Sequence, residues 1–106
     1  MAEKRKSTHS LAAFKAAVVA GKVEMTTAAV KGGLDISFDT AAISGVLGKL
    51  TAKHFFKSVN TFNDPKRWMD VYHFQNSIEL TIYIKFVDEN DPATTTEFVL
   101  TSFKEK

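Results

Sequence analysis

Lys57, His73, Tyr83 and Lys104 are the residues of this chain whose types, taken together, could do chemistry. Two ammonium groups, an imidazole and a phenol suit a phosphodiester. Ammonium groups attract phosphate and stabilise the extra negative charge of its transition state. Imidazole and phenol can move protons or stack on a base. Other chemistries have less support. With no cysteine there is no thiolate nucleophile, no disulfide and no cysteine zinc site. His9, His54 and His73 are scattered, and no two stand at metal-ligand spacing, so neither a metal nor another cofactor is expected.

Whether those four residues can meet depends on the elements that carry them. The first half of the chain reads as helices. Ser7 or Thr8 can cap a first helix with Leu11, Phe14 and Val18 on one face, ended by Gly21. Lys22 to Met25 reads as short and extended. Thr26 or Thr27 can cap a second helix closed by Gly32-Gly33, and Leu34 to Phe38 alternates weakly. Asp39 or Thr40 can cap a third helix carrying Ile43, Val46, Leu47 and Leu50.

From Phe55 onward the period becomes two. Phe56 to Phe62 and Trp68 to Phe74 read as strands, separated by the turn residues Asn63 to Lys66. A short Gln75-Asn76-Ser77 connection leads to Ile78 to Val87, the clearest alternation in the chain, with Ile78, Leu80, Ile82, Ile84 and Phe86 on one side. Asp88 to Thr96 is a polar loop, and Glu97 to Lys104 is the last strand. The predicted fold class is α+β, with an antiparallel sheet of about four strands in the C-terminal half and the N-terminal helices packed on one face.

Side chains of one parity stay on one face of a strand. If the helices cover the Ile82/Ile84/Phe86 side, then Tyr83 and Lys85 lie on the open side. Lys57 shares a parity with Val59, and Met69 with Val71 and His73. Lys57, His73, Tyr83 and Lys104 are thereby expected on one open face. The plainer alternative is that lysines and tyrosines populate the wet side of any sheet, and pattern alone favours it. Trp68 and the nine phenylalanines read as packing residues, and His54 as structural.

Length and composition bound the rest. A chain of 106 residues holds one core, so residues 1–106 are read as a single domain. Hydrophobic residues at 44% and charged residues at 25% are those of a folded chain rather than a disordered one. No apolar run reaches the ~20 residues of a membrane span, and the start has no signal-peptide core, so a cytoplasmic protein without membrane contact is expected. Residues 1–57 hold nine basic and four acidic side chains, whereas residues 88–106 hold two basic and five acidic. The basic front permits an anionic partner such as RNA without demanding one.

Phe55-Phe56-Lys57-Ser58, Trp68-Met69-Asp70-Val71-Tyr72 and Ser102-Phe103-Lys104-Glu105-Lys106 together resemble the motility quorum-sensing regulator family of bacterial toxins. Glu3-Lys4-Arg5 with His9, Ala20-Gly21-Lys22-Val23 and Leu34 to Asp39 match in the same order. The resemblance runs from Glu3 to Lys106, and its specificity lies in order and spacing rather than in any one motif. It implies a RelE-like, microbial-ribonuclease-like fold. It also implies a toxin that is an mRNA interferase, cutting single-stranded mRNA at GCU-like sequences. The implied partner is a zinc-containing, DNA-binding antitoxin encoded next door, which would own any metal or operator contact.

The family's functional lysine, tyrosine and C-terminal lysine correspond to Lys57, Tyr83 and Lys104, with His73 a further catalytic candidate. Phe56, Met69 and Lys85 are candidate RNA contacts. Three positions depart from the family pattern: Met69 replaces a glutamine, Phe56 a tyrosine and His73 an arginine. The loop from Asp88 to Thr96 is longer than usual for the family. The mechanism implied is attack of a ribose 2′-hydroxyl on its own 3′-phosphate, without metal. The rivals are a module that binds RNA or antitoxin with little or no cleavage, and an interaction protein whose sheet edge a partner completes.

Overall fold

A computed structural model describes residues 2–61 and 63–106. The helices begin where a side chain can take up an orphan amide. Ser10 accepts from the Ala13 N–H at 3.1 Å and opens α1 (Leu11–Val19). Thr26 accepts from Ala29 at 3.1 Å and opens α2 (Thr27–Asp35), and Asp39 accepts from Ala42 at 2.8 Å and opens α3 (Thr40–Lys49). The first cap is thus Ser10 rather than Ser7 or Thr8. Thr8 is engaged elsewhere: its hydroxyl bonds Ser58 Oγ at 2.7 Å and its amide donates to Asp70.

Gly21, at φ 73°, ends α1 as expected. Gly32-Gly33 does not end α2 but lies inside it. A Cβ on Gly32 would run into the Phe103 carbonyl oxygen, and one on Gly33 would stand 2.6 Å from Ile43 Cδ1. These glycines let α2 lie against the sheet and α3. The helix closes later through Ser37 at φ 68°, with Phe38 N–H donating to Gly33 O at 2.8 Å.

The strands are β1 (Glu3–Lys4), β2 (Val23–Met25), β3 (Phe55–Asn60), β4 (Trp68–Gln75), β5 (Thr81–Asp88) and β6 (Phe98–Glu105). Among the described residues they form one mixed sheet in the order β1-β3-β4-β5-β6-β2. The α+β class holds, and the four long strands are antiparallel neighbours in chain order. The expected four-stranded sheet gains a short edge strand on each side: β1 antiparallel to β3, and β2 parallel to β6. Strands of two and three residues carry no detectable period. The expected strand end at Phe62 lies outside the described residues. Ile78 does not join the buried row: it is 97% exposed in the β4–β5 turn, and β5 starts only at Thr81.

All three helices cover one face of the sheet. Phe14 of α1 stacks on Phe86 at 3.7 Å between centroids, Phe98 meets Phe14 edge-on at 5.4 Å, and Ile43, Leu47, Ile82, Ile84, Leu100 and Phe103 belong to the same buried cluster. A strap from Arg5 to Ser10 crosses from the sheet edge to α1. It is held by Asp70, fully buried on β4, whose carboxylate accepts the Thr8 amide at 3.0 Å and the His9 amide at 2.9 Å. Trp68, the first residue of β4, lies beneath Lys4, whose Nζ is 4.3 Å from its ring, while His54 accepts the Thr51 amide at 2.9 Å.

Candidate functional site

The face turned away from the helices is built by strand register. Lys57 pairs with Val71, Val71 with Lys85 and Lys85 with Ser102, which makes one transverse row. Two residues further along β4, His73 pairs with Tyr83 and Tyr83 with Lys104, which makes a second. Directly opposed residues share a face, so the register puts Lys57, His73, Tyr83, Lys85 and Lys104 on the same side.

A bulge in β3 brings Phe56 to this side as well. Phe55 opposes Tyr72 and Lys57 opposes Val71, so Phe56 is the extra residue. Its ring stacks on His73 with centroids 4.2 Å apart at 23°. Parity alone would have sent Phe56 to the opposite face from Lys57. Phe56 and His73, two of the three residues read as departing from the family pattern, are thus a contacting pair.

Contacts continue from side chain to side chain. Lys57 Nζ lies 5.3 Å from the Phe56 ring, the His73 and Tyr83 rings are 5.8 Å apart, and Lys104 Nζ is 5.5 Å from the Tyr83 ring. The band has a length: three strand spacings of about 4.8 Å separate Lys57 from Lys104. The two lysines stand at its ends, with His73 and Tyr83 between them and Lys85 one row away. Met69 lies in a third row with Val59, on the far side of Lys57 from His73. Val71 is fully buried beneath these longer side chains and forms an apolar floor.

The environment shifts several of these groups. Burial, and then the positive charges of Lys106 and Lys57, holds the His73 imidazole below its ordinary value of 6.5 and so favours its neutral form. Burial, and then the nearby Lys104 ammonium, pushes the Lys85 ammonium down. Lys57 Nζ donates to Glu3 Oε2 at 2.8 Å, and this bond holds the Glu3 carboxyl below the usual carboxylate range. Tyr72, by contrast, belongs to the helix-covered core, where burial pushes its phenol up to about 12.

Three participants were not legible as site residues. Glu3 reaches Lys57 only because β1 pairs with β3. Arg5 Cζ sits 5.5 Å over the Phe56 ring. Lys106 acts on His73 from the end of the last strand, where its amide donates to Thr81 O at 2.9 Å. The only sequence sign of Glu3 and Arg5 was their place in the Glu3-Lys4-Arg5 segment. No group of three or more His, Asp or Glu side chains that could hold a metal ion occurs among the described residues.

Comparison with known proteins gives two findings. The family model described as "Motility quorum-sensing regulator, toxin of MqsA" matches residues 6–105. A protein of Escherichia coli (strain K12) named mRNA interferase toxin MqsR is 30% identical over 104 residues, covering 98% of this chain and 99% of that protein.

Proposed function

Because the chain belongs to the motility quorum-sensing regulator family, we propose that it is the toxin of a toxin–antitoxin pair and an mRNA interferase that cuts single-stranded mRNA without a metal. The observation that supports this most is the continuous Lys57–Phe56–His73–Tyr83–Lys104 band on the uncovered sheet face. It presents cations at both ends, proton-transfer groups in the middle and an aromatic surface for a base. The finer expectations belong to the same reading: a RelE-like fold in one domain, cleavage at GCU-like sites, a cytoplasmic location and a zinc-containing, DNA-binding antitoxin as partner. No helix among the described residues is long and apolar enough to cross a membrane.

The scissile phosphate lies over the His73–Tyr83 pair. His73, its neutral form favoured by burial and neighbouring cations, takes the proton from the ribose 2′-hydroxyl. The 2′-oxygen attacks phosphorus, and the bond to the 5′-oxygen breaks. Tyr83 protonates that leaving oxygen. The products are a 2′,3′-cyclic phosphate and a 5′-hydroxyl. Lys57 from one side and Lys85 and Lys104 from the other stabilise the charge that builds on the phosphorane. Phe56 and Met69 contact bases, which single-stranded RNA leaves open to stacking and edge contacts.

Purified protein incubated with end-labelled RNA, with and without chelator, tests the proposal. Cleavage that survives chelator and leaves a cyclic phosphate is expected. Binding with no products supports the binding module instead, and absence of RNA affinity supports the interaction protein.

Two further outcomes follow. The first is a pH profile. Only the neutral imidazole accepts a proton, so cleavage rises with pH through a midpoint below 6.5 and then levels off. Replacing His73 with Gln should remove that limb. Folding has the same sign, because the unfolded chain binds a proton more readily than the native one, so stability falls as pH drops from about 6.5 toward the native value. An acid limb that is unchanged in the variant would exclude His73 as the base.

The second concerns Glu3, which neutralises Lys57 in the unliganded protein. Glu3→Gln should tighten binding of single-stranded RNA a few-fold at low salt and steepen its salt dependence by up to about one phosphate contact. Anisotropy titrations at several salt concentrations measure both. Equal affinities and equal slopes would show that Glu3 does not compete with phosphate for Lys57.

A further inference from the structure

Among the described residues, Lys15, Lys57 and Lys85 are the lysines that are half-buried rather than exposed. Lys15 donates to the Leu50 carbonyl at 2.9 Å, and Lys57 donates to Glu3 at 2.8 Å. Lys85 differs: its ammonium has no ion-pair partner among the described residues. No solvent-excluded side-chain nitrogen among them is left without a partner, so the free Lys85 ammonium reaches the surface. It is a partly desolvated amine with an unoccupied end.

Its surroundings are cationic. Lys85 opposes Val71 on β4 and Ser102 on β6, both short side chains that leave the amine approachable from either side. Lys104, which opposes Tyr83, lies diagonally from it. Lys57 stands two strands away across the Val71 floor, about 10 Å by strand spacing. The carboxylate nearest this row, Glu3, is already held by Lys57. An amine that is desolvated and set beside other cations gives up its proton more readily and becomes a nucleophile, and burial with the Lys104 charge pushes the Lys85 ammonium in that direction. The same cations concentrate anions above it. A nucleophile under an anion-attracting surface calls for an electrophile that carries negative charge.

We propose that Lys85 is a modification site, acylated by acyl phosphates that dock on Lys104 and Lys57, and, resting on the RNA-cleaving reading above, that the modification loosens the hold of this face on RNA. The phosphate of the reagent meets the flanking ammonium groups, which brings its carbonyl carbon over the Lys85 amine. The nitrogen lone pair forms the N–C bond, and the C–O bond to the phosphate breaks. The amine proton goes to the departing group, which leaves as hydrogen phosphate. The product is a neutral amide in the middle of the open face, with one cation fewer to meet the RNA backbone.

The protein is incubated with acetyl phosphate and, separately, with phenyl acetate, which delivers the same acyl group from an uncharged ester. Peptide mass spectrometry follows each lysine with time. With acetyl phosphate, Lys85 should react about tenfold faster than the exposed Lys49 of α3. With phenyl acetate that ratio should shrink several-fold, and Lys104→Ala should lower it with acetyl phosphate. Anisotropy titrations with 2′-O-methylated single-stranded RNA, which cannot be cut, then compare treated and untreated protein. The treated protein should bind several-fold more weakly at low salt, with a salt dependence reduced by about one phosphate contact. Lys85→Arg keeps a positive charge but presents no such amine, so after the same treatment it should retain its own untreated affinity.

Equal rates at Lys85 and Lys49, or the same ratio with the uncharged ester, overturns the site. Unchanged RNA affinity in protein acylated at Lys85 overturns its effect on RNA binding. Selective, phosphate-dependent acylation of a protein that neither binds nor cuts RNA would sink the nuclease reading while leaving the modification site standing.

Discussion

Lys57→Ala is expected to lower the single-turnover rate of RNA cleavage by about 10²- to 10³-fold, the usual cost of removing one preorganised donor to a developing charge. Lys57 is the cation for which the largest loss is expected. Its side chain is only 25% exposed, it stands over an apolar floor at Val71, and it lies diagonally across from His73. A charge in that position is less screened than one on the exposed end of β6, where Lys104 sits. Lys104→Ala should therefore cost less at moderate salt.

The Lys57 substitution also releases Glu3, so the measurement is made in the Glu3→Gln background as well. There the loss on removing Lys57 should persist, because it reflects lost transition-state charge rather than a stranded carboxylate. Melting temperatures within a few degrees of the parent separate chemistry from folding. Undiminished cleavage by the folded Lys57→Ala protein would remove Lys57 from the mechanism.

Asp70→Ala is expected to cost about 3 kcal/mol of stability, since two amides lose a charged acceptor at once. For a domain of this size that lowers the melting temperature by roughly 12–20 °C. Asp70 is fully buried and accepts from both Thr8 and His9, whose positions fix the strap that joins β1 to α1. The loss therefore reaches the site: Glu3 and Arg5 lie on or just after β1, against Lys57 and Phe56.

Ser58→Ala makes a useful comparison. It removes a neutral hydroxyl that bonds Thr8 and the Met69 carbonyl, so its cost should be about 1 kcal/mol. Urea unfolding of the two variants beside the parent measures the order. Equal stabilities for the Asp70 variant and the parent would mean that water replaces the carboxylate and that the strap is not anchored there.

Much of this protein could be read from residue order. Ile82, Ile84 and Phe86 alternate with Tyr83 and Lys85, and a period of two leaves a strand only one way to bury its apolar half. That alternation put Tyr83 and Lys85 on the open face before any pairing was known. Thr26, Asp39 and Gly21 marked helix ends because capping is local chemistry between neighbours in the chain. Lys57, His73, Tyr83 and Lys104 were found by type and parity, and family resemblance singled out three of them.

What sequence could not supply is whatever depends on partners far along the chain. The bulge that turns Phe56 onto His73, the edge strand that brings Glu3 to Lys57, and the glycines that let α2 approach Phe103 exist only through long-range contact. Local patterns determined which residues would face away from the helices. Strand register, a property of pairs of segments, decided which of them became neighbours, because a cross-strand contact is set by hydrogen bonding between chains and leaves no period in either one.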